Sequence, residues 1–233
     1  MISHRYLSGL RIDHELLYRV RPSTKDSKGA RWDTLHLQQA ATDRACGLSC
    51  VLMLVMLVEG VPRDHAVSVA WSSRPRLKKL WCVAKAGYFR GTSPASLVRH
   101  LEAACEGREV SQLRGSHSDL FALAADEIAR DNVVLLLVGA SPKAQLHWVM
   151  LVGVECVERV GSSPSKSRKD AVATALLGLD PESPPPVCSG FNWRMPRRKV
   201  KERRKLATAT TNGSVEYRQL QGAVVLHRDA RSA

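Results

Sequence analysis

The stretch from Cys46 to Glu59 constrains the fold of this chain more than any other. Its sequence, CGLSCVLMLVMLVE, is dense in good helix formers and is apolar around almost its whole circumference. Gly60 and Pro62 follow and predict where the helix ends. A helix without a polar face cannot lie on a protein surface. We therefore expect a central, buried helix that the rest of the chain surrounds.

Helical patterns precede residue 130, and strand patterns follow it. Apolar spacing of three and four residues predicts helices over 64–71 and 118–129, and Ser93-Pro94 predicts the capped start of another helix that ends near residue 104. Short runs rich in β-branched residues and Leu predict strands over 132–138, 146–155, 175–179 and 215–226. Helices followed by antiparallel strands predict an α+β fold with two lobes or layers.

The length of 233 residues suits one domain with decorations. Residues 1–35 are polar and mixed, and we interpret them as an N-terminal extension with one or two short elements. The domain then covers 36–233. Near its end lies a basic segment from Arg194 to Lys205, RMPRRKVKERRK, with eight basic residues and one acidic residue. Such a charge run predicts a solvated surface loop.

The formal net charge of +13 favours an anionic partner, such as nucleic acid, an acidic protein surface or anionic lipid. The basic segment lacks interleaved aromatic residues, which argues against a nucleic-acid-binding module without excluding one. The longest apolar run, Val51 to Val58, is too short to span a bilayer. The N-terminus has no apolar signal-peptide region. We expect a protein of the cytoplasm, or one exported without a cleaved signal, as a delivered effector would be.

Six cysteines are present, and none forms a C-x-x-C pair, so a structural zinc site has little support. Without a signal peptide, we expect mostly reduced thiols. No cofactor is implied. The sequence does not indicate an oligomeric state.

Three residues predict a catalytic site. Cys46 lies where a loop ends and the apolar helix begins, and a helix N-terminus lowers the pKa of a thiol. His147 heads the strand LHWVMLVGVE, and Asp180 ends the next predicted strand. Two neighbouring antiparallel strands would bring His147 and Asp180 together, so that the acid orients the imidazole. Nucleophile, base and orienting acid then follow in the order Cys, His, Asp.

Residues next to this triad have predicted roles too. Gly47 would let a substrate backbone approach closely. Gln39, with Gln38 as the alternative, would donate a side-chain N–H to a developing oxyanion. We interpret Cys50 as a core residue and Asn192-Trp193 as a surface loop that borders a cleft at most. Trp71, Trp81 and Trp148 are expected to fill the core or the walls of a cleft.

These motifs resemble the papain-like cysteine peptidase superfamily, especially the peptidase domains of ABC exporters that process bacteriocin leaders, and their stand-alone relatives. Those domains show a Gln, a Cys-Gly at a helix start, an H-[WFY]-V-V-L strand and a D-P after a strand. This chain has Gln39, Cys46-Gly47, HWVML from His147 and Asp180-Pro181, within residues 37–182. The Gln usually precedes the Cys by six positions. Here Ala40 stands at that position, which leaves the oxyanion donor open.

The resemblance implies a papain-like fold, with a helical part that carries the Cys and an antiparallel sheet that carries the His and Asp. It also implies a cysteine peptidase that cleaves a protein or peptide substrate through a thioester. A deamidase or an amidase would use the same triad, and the sequence does not distinguish these reactions.

Overall fold

A computed structural model describes residues 2–8, 10–12, 18–20, 33–40, 43–139, 146–157, 171–186, 191–197, 206–210 and 215–228. It contains the helices α1 (Cys46–Glu59), α2 (Arg63–Val67), α3 (Pro75–Ala84), α4 (Pro94–Ala104) and α5 (His117–Ala129). Short 3₁₀ turns follow α2 and α3, at Val69–Trp71 and Lys85–Gly87. None of these helices combines the length and the apolar character that crossing a bilayer requires.

The strands lie at both ends of the chain. The first four are β1 (Ile2–Tyr6), β2 (Arg11–Ile12), β3 (Tyr18–Val20) and β4 (Asp33–Thr34). Then β5 (Val110–Leu113) lies between α4 and α5. The remainder are β6 (Val133–Gly139), β7 (His147–Val157), β8 (Val172–Leu179), β9 (Trp193–Pro196), β10 (Leu206–Thr210) and β11 (Val215–Leu226). The protein therefore combines helices with antiparallel sheet, in agreement with the predicted α+β class.

Strand pairing closes the main sheet into a ring. The strands β6, β7, β8, β9, β10 and β11 pair in that order, and β11 pairs back with β6. All of these pairings are antiparallel. Strand β1 adds to β7 beyond the end of β6, and β5 adds to β11 beyond the end of β10. Strands β2, β3 and β4 form a separate three-stranded sheet.

Residues from the predicted N-terminal extension take part in this architecture. Strand β1 pairs with β7 from Ile2 to Tyr6, and the side chain of Leu7 is buried in the core. The N–H of Leu7 also donates to the carbonyl of Val152, 3.0 Å away. The start of the chain thus packs as an integral strand of the main sheet.

Helix α1 has the predicted bounds and the predicted surroundings. Every residue from Cys46 to Leu57 is buried, and the helix packs against β7 and α4. It ends where Gly60 adopts the left-handed conformation at φ +61°, which a residue with a Cβ adopts at a cost. Contact between α1 and β7 brings the helical part of the chain against the sheet, and the candidate site lies there.

Helix α4 shows how its local sequence specifies a helix start. The Ser93 hydroxyl accepts the N–H of Ser96, and Pro94 occupies the first turn, where its missing N–H costs nothing. Leu97 and Leu101, one turn apart, are fully buried. The helix predicted from these residues is confirmed.

Candidate active site

Cys46 is the first residue of α1 and is 7% exposed. Ala45 precedes it and gives no side-chain cap, so this residue leaves the N–H groups of the first turn open to another acceptor. The loop before it is held by Asp43, whose carboxylate accepts the N–H groups of Ala40 and Ala45 and the hydroxyl of Tyr88. The thiol therefore projects from a helix start that the preceding loop keeps in place.

Gly47 has a packing role in addition to the one expected. A Cβ at this position would lie 2.7 Å from the Cβ of Thr92, so the glycine is required by packing inside the protein. The carbonyl of Thr92 accepts the indole N–H of Trp148 at 2.7 Å. Thr92 thus joins the start of α1 to β7, immediately beside Cys46 and His147.

The sheet brings His147 and Asp180 into direct contact. Strand β7 begins at His147 and β8 ends at Leu179, and the two strands pair antiparallel with Met150 opposite Leu179. The two side chains are 9% and 11% exposed. His147 Nε2 lies 2.6 Å from Asp180 Oδ1, a distance typical of a charge-assisted hydrogen bond.

Electrostatics favour a charged imidazole in this pair. Burial lowers the pKa of His147, but hydrogen bonds to Asp180 and to the Cys46 thiol outweigh it and raise that pKa to about 10. Burial raises the pKa of Asp180, whereas the contact with His147 lowers it below its ordinary value, and the net direction is down. Asp180, which hydrogen-bonds to the ring, and Cys46 are therefore the two groups that favour the charged form of the His147 imidazole.

Further contacts hold the carboxylate of Asp180. The N–H of Glu182 donates to Oδ1 at 2.8 Å, and the Ser183 hydroxyl donates to Oδ2 at 3.2 Å. The carboxylate of Glu182, more than half exposed, approaches the other ring nitrogen of His147, with Oε2 3.6 Å from Nδ1. The imidazole consequently has a buried acid on one side and a solvated acid near the other.

The two candidate oxyanion residues have different environments. Gln38 is exposed, whereas Gln39 is partly buried. The backbone N–H of Gln39 donates to the carbonyl of Pro181 at 2.9 Å, which places it beside the residue that follows Asp180. Its side-chain oxygen is buried without a hydrogen-bond partner among the described residues.

Two predictions about surface and core were wrong. Asn192 and Trp193 are 1% and 2% exposed, not a surface loop, because Trp193 begins β9, which pairs with β8, and Asn192 immediately before it hydrogen-bonds to Gly178 and Asp180. Trp71 is 89% exposed, because the 3₁₀ turn after α2 directs it outward, whereas Trp148 is buried as expected. Asn192 hydrogen-bonds to the backbone of Asp180, a contact that no local sequence pattern indicated.

The described part of the basic segment has internal partners. The guanidinium of Arg194 pairs with the carboxylate of Glu155 at 2.8 Å, and that of Arg197 lies over the ring of Phe121, 5.9 Å from its centroid. The predicted exposure of the segment from residue 198 to residue 205 falls outside the described residues.

Five cysteines are free thiols, namely Cys46, Cys50, Cys82, Cys105 and Cys156, and Cys188 lies outside the described residues. Burial raises the pKa of Cys50 well above its ordinary value and that of Cys105 to about 12. Within the described ranges, no three His, Cys, Asp or Glu residues are grouped as a metal site.

The comparisons with protein families and with curated proteins found no relative of this chain. No protein-family model matches the chain, and no curated protein matches it significantly.

Proposed function

We propose that this chain is a papain-like cysteine peptidase that hydrolyses a peptide bond of a protein substrate. The observation that carries the proposal is the buried 2.6 Å contact between His147 and Asp180, on an imidazole whose pKa is also raised by Cys46 at a helix start. A raised imidazole pKa favours transfer of the thiol proton to the ring, which converts the thiol into the nucleophilic thiolate.

The reaction proceeds in two stages. The thiolate of Cys46 attacks the scissile carbonyl carbon, the imidazolium of His147 gives its proton to the leaving amine, and the C–N bond breaks to leave a thioester. Water then attacks the thioester while His147 takes a proton from it. The C–S bond breaks, the carboxylic acid leaves, and the thiolate–imidazolium pair is restored. Asp180 stays ionised and holds the ring throughout.

The developing oxyanion needs donors near Cys46. We assign this role to Gln39 and to the N–H groups of the first turn of α1. Gln39 is favoured over Gln38 because Gln38 is exposed, whereas Gln39 is tied to Pro181 and has a side-chain amide oxygen without a partner in the described structure. The Gln39 side-chain amide is therefore not fully held by hydrogen bonds within the described structure.

The direct test compares the products formed by the wild type and by a Cys46→Ala variant. Each protein is incubated with a protein extract, and new N-termini are identified by mass spectrometry. A Cys156→Ala variant is the matched control, because Cys156 is a partly buried thiol on the same strand as His147 and remote from it in that strand.

Wild type and Cys156→Ala should produce the same new N-termini, and Cys46→Ala should produce none. If Gln residues of the extract proteins are converted to Glu and no new N-termini form, the activity is that of a deamidase with the same triad, not a peptidase. Identical products from wild type and Cys46→Ala would refute the proposal.

A further inference from the structure

Asn192 holds both backbone polar groups of Asp180. Its Oδ1 accepts the N–H of Asp180 at 2.7 Å, and its Nδ2 donates to the carbonyl of Asp180 at 2.9 Å. Nδ2 also donates to the carbonyl of Pro184 at 2.9 Å. Because the side chain is 1% exposed, water does not compete for these hydrogen bonds.

These partners assign the orientation of the amide without ambiguity. Exchange of Oδ1 and Nδ2 would place the oxygen against two carbonyl oxygens and the nitrogen against an N–H group. Each of those contacts would lose its hydrogen bond, so only the present orientation satisfies the site.

Strand pairing puts Asn192 at this position. The N–H of Asn192 donates to the carbonyl of Gly178 at 3.2 Å, and the next residue, Trp193, pairs with Gly178 in the register of β8 and β9. The side chain therefore starts from the residue immediately before β9, next to the ladder with β8, and extends past the end of β8. There it contacts Asp180, the first residue after β8.

His36 contacts the same backbone carbonyl and the same amide. Its Nε2 lies 2.9 Å from the carbonyl of Asp180 and 3.1 Å from Nδ2 of Asn192. Burial lowers the pKa of His36 and keeps the ring neutral. Its Nδ1 is buried without a partner among the described residues, so the proton belongs on Nε2, where it donates to Asp180.

We propose that Asn192 is a positioning residue of the catalytic triad, which acts through the backbone of Asp180 to orient the imidazole of His147. The inference rests on the proposed function. The Asp180 carboxylate, 2.6 Å from the His147 ring, orients the ring only if the backbone of Asp180 is itself fixed. A displacement near 1 Å in a catalytic group lowers the rate about 10²-fold.

The ionisable groups that face the imidazole are Cys46 from α1, Asp180 from the end of β8 and Glu182 from the turn that follows. Asn192 carries no charge, so its removal takes away no charge–charge interaction of the imidazole. A change in the titration of the thiol–imidazole pair would therefore report movement of Asp180.

The experiment measures the rate at which iodoacetamide alkylates Cys46 as a function of pH, which requires no substrate. Asn192→Ala should lower that rate about tenfold at slightly acidic pH, because fewer molecules hold a thiolate when the imidazolium is poorly oriented. For a peptide substrate, kcat should fall about 10²-fold while KM is unchanged.

Asn132→Ala is the matched control. Asn132 is a buried asparagine that accepts the backbone N–H of Arg228 at 2.9 Å and donates to Glu127 at 2.6 Å, away from the triad. It should lower the thermal stability much as Asn192→Ala does and leave the alkylation profile unchanged. If Asn192→Ala does not fold, Asn192→Thr carries the same measurements, because it is uncharged, fills a similar volume and cannot hold both backbone groups of Asp180.

The outcomes separate the two proposals. A wild-type Cys46 that reacts with the pH profile of an ordinary exposed thiol would refute the triad itself. A reactive wild-type Cys46 whose profile is the same in the folded Asn192 variants would refute the positioning role alone.

Discussion

Replacement of Asp180 by Asn and by Ala should produce graded losses. Asp180 Oδ1 accepts hydrogen bonds from His147 and from the N–H of Glu182, and an Asn oxygen can accept both. The Ser183 hydroxyl, which donates to Oδ2, can accept from the new amide instead. Asp180→Asn therefore removes the charge and keeps the hydrogen bonds, whereas Asp180→Ala removes both.

The magnitudes follow from the strengths of these bonds. A hydrogen bond to a charged group contributes about 1.5–3 kcal/mol and a neutral one about 1 kcal/mol. Loss of the charge alone should therefore cost about 1–1.5 kcal/mol, or about tenfold in kcat/KM, since 1.4 kcal/mol is tenfold. Loss of the whole contact should cost about 3 kcal/mol, or about 10²-fold.

The pH dependence should change in a defined direction. The active thiolate–imidazolium pair persists as pH rises until the imidazolium loses its proton, and the pKa of His147 is raised to about 10. Without the negative charge of Asp180, that pKa falls toward its ordinary value. The alkaline limb of peptide hydrolysis should therefore move to lower pH in both variants. The acidic limb of Cys46 alkylation should move to higher pH, because a less stabilised imidazolium lowers the thiolate fraction at acidic pH.

Alkylation rates and peptide hydrolysis are measured over the whole pH range for the wild type, Asp180→Asn, Asp180→Ala and Ser183→Ala. Ser183→Ala is the control, because it removes only the 3.2 Å contact with Oδ2 and leaves the bond to His147 intact. An alkaline limb that stays in place in Asp180→Ala would show that Asp180 does not hold the imidazolium.

Three further predictions test the site. Replacement of His147 by Ala should lower activity about 10³-fold with the fold intact, as measured by kcat/KM and circular dichroism, and a fully active variant would mean that another group acts as base. Iodoacetamide at neutral pH should label Cys46 before Cys105, because burial raises the pKa of Cys105 to about 12. Mass spectrometry of the labelled peptides measures the order of labelling, and equal labelling in the folded protein would contradict the prediction. Gly47→Ala should lower the free energy of unfolding by about 1–3 kcal/mol, because its Cβ would meet Thr92, and Thr92→Gly should restore part of the loss in a denaturant titration.

Local sequence was sufficient to predict the elements that carry the candidate triad. An apolar run that ends at a glycine predicts a buried helix from Cys46 to Glu59, and the structure has those bounds. Short runs rich in β-branched residues and Leu predict most of β7 and β8, and short-range connectivity makes them neighbours. His147 and Asp180 stand at strand ends that face each other for this reason.

Pairings between distant segments decided the rest. Asn192 is separated from Asp180 by 12 residues and from His36 by 156, and only the joining of β9 to β8 and the return of the N-terminal segment bring them together. Backbone pairing with Pro181 distinguishes Gln39 from Gln38, since two adjacent glutamines have the same local pattern. Helical and strand periodicity report which face of an element is buried, but not which distant side chain is packed against it. The elements of the candidate triad were therefore predictable from the sequence, and the residues packed against it required the tertiary structure.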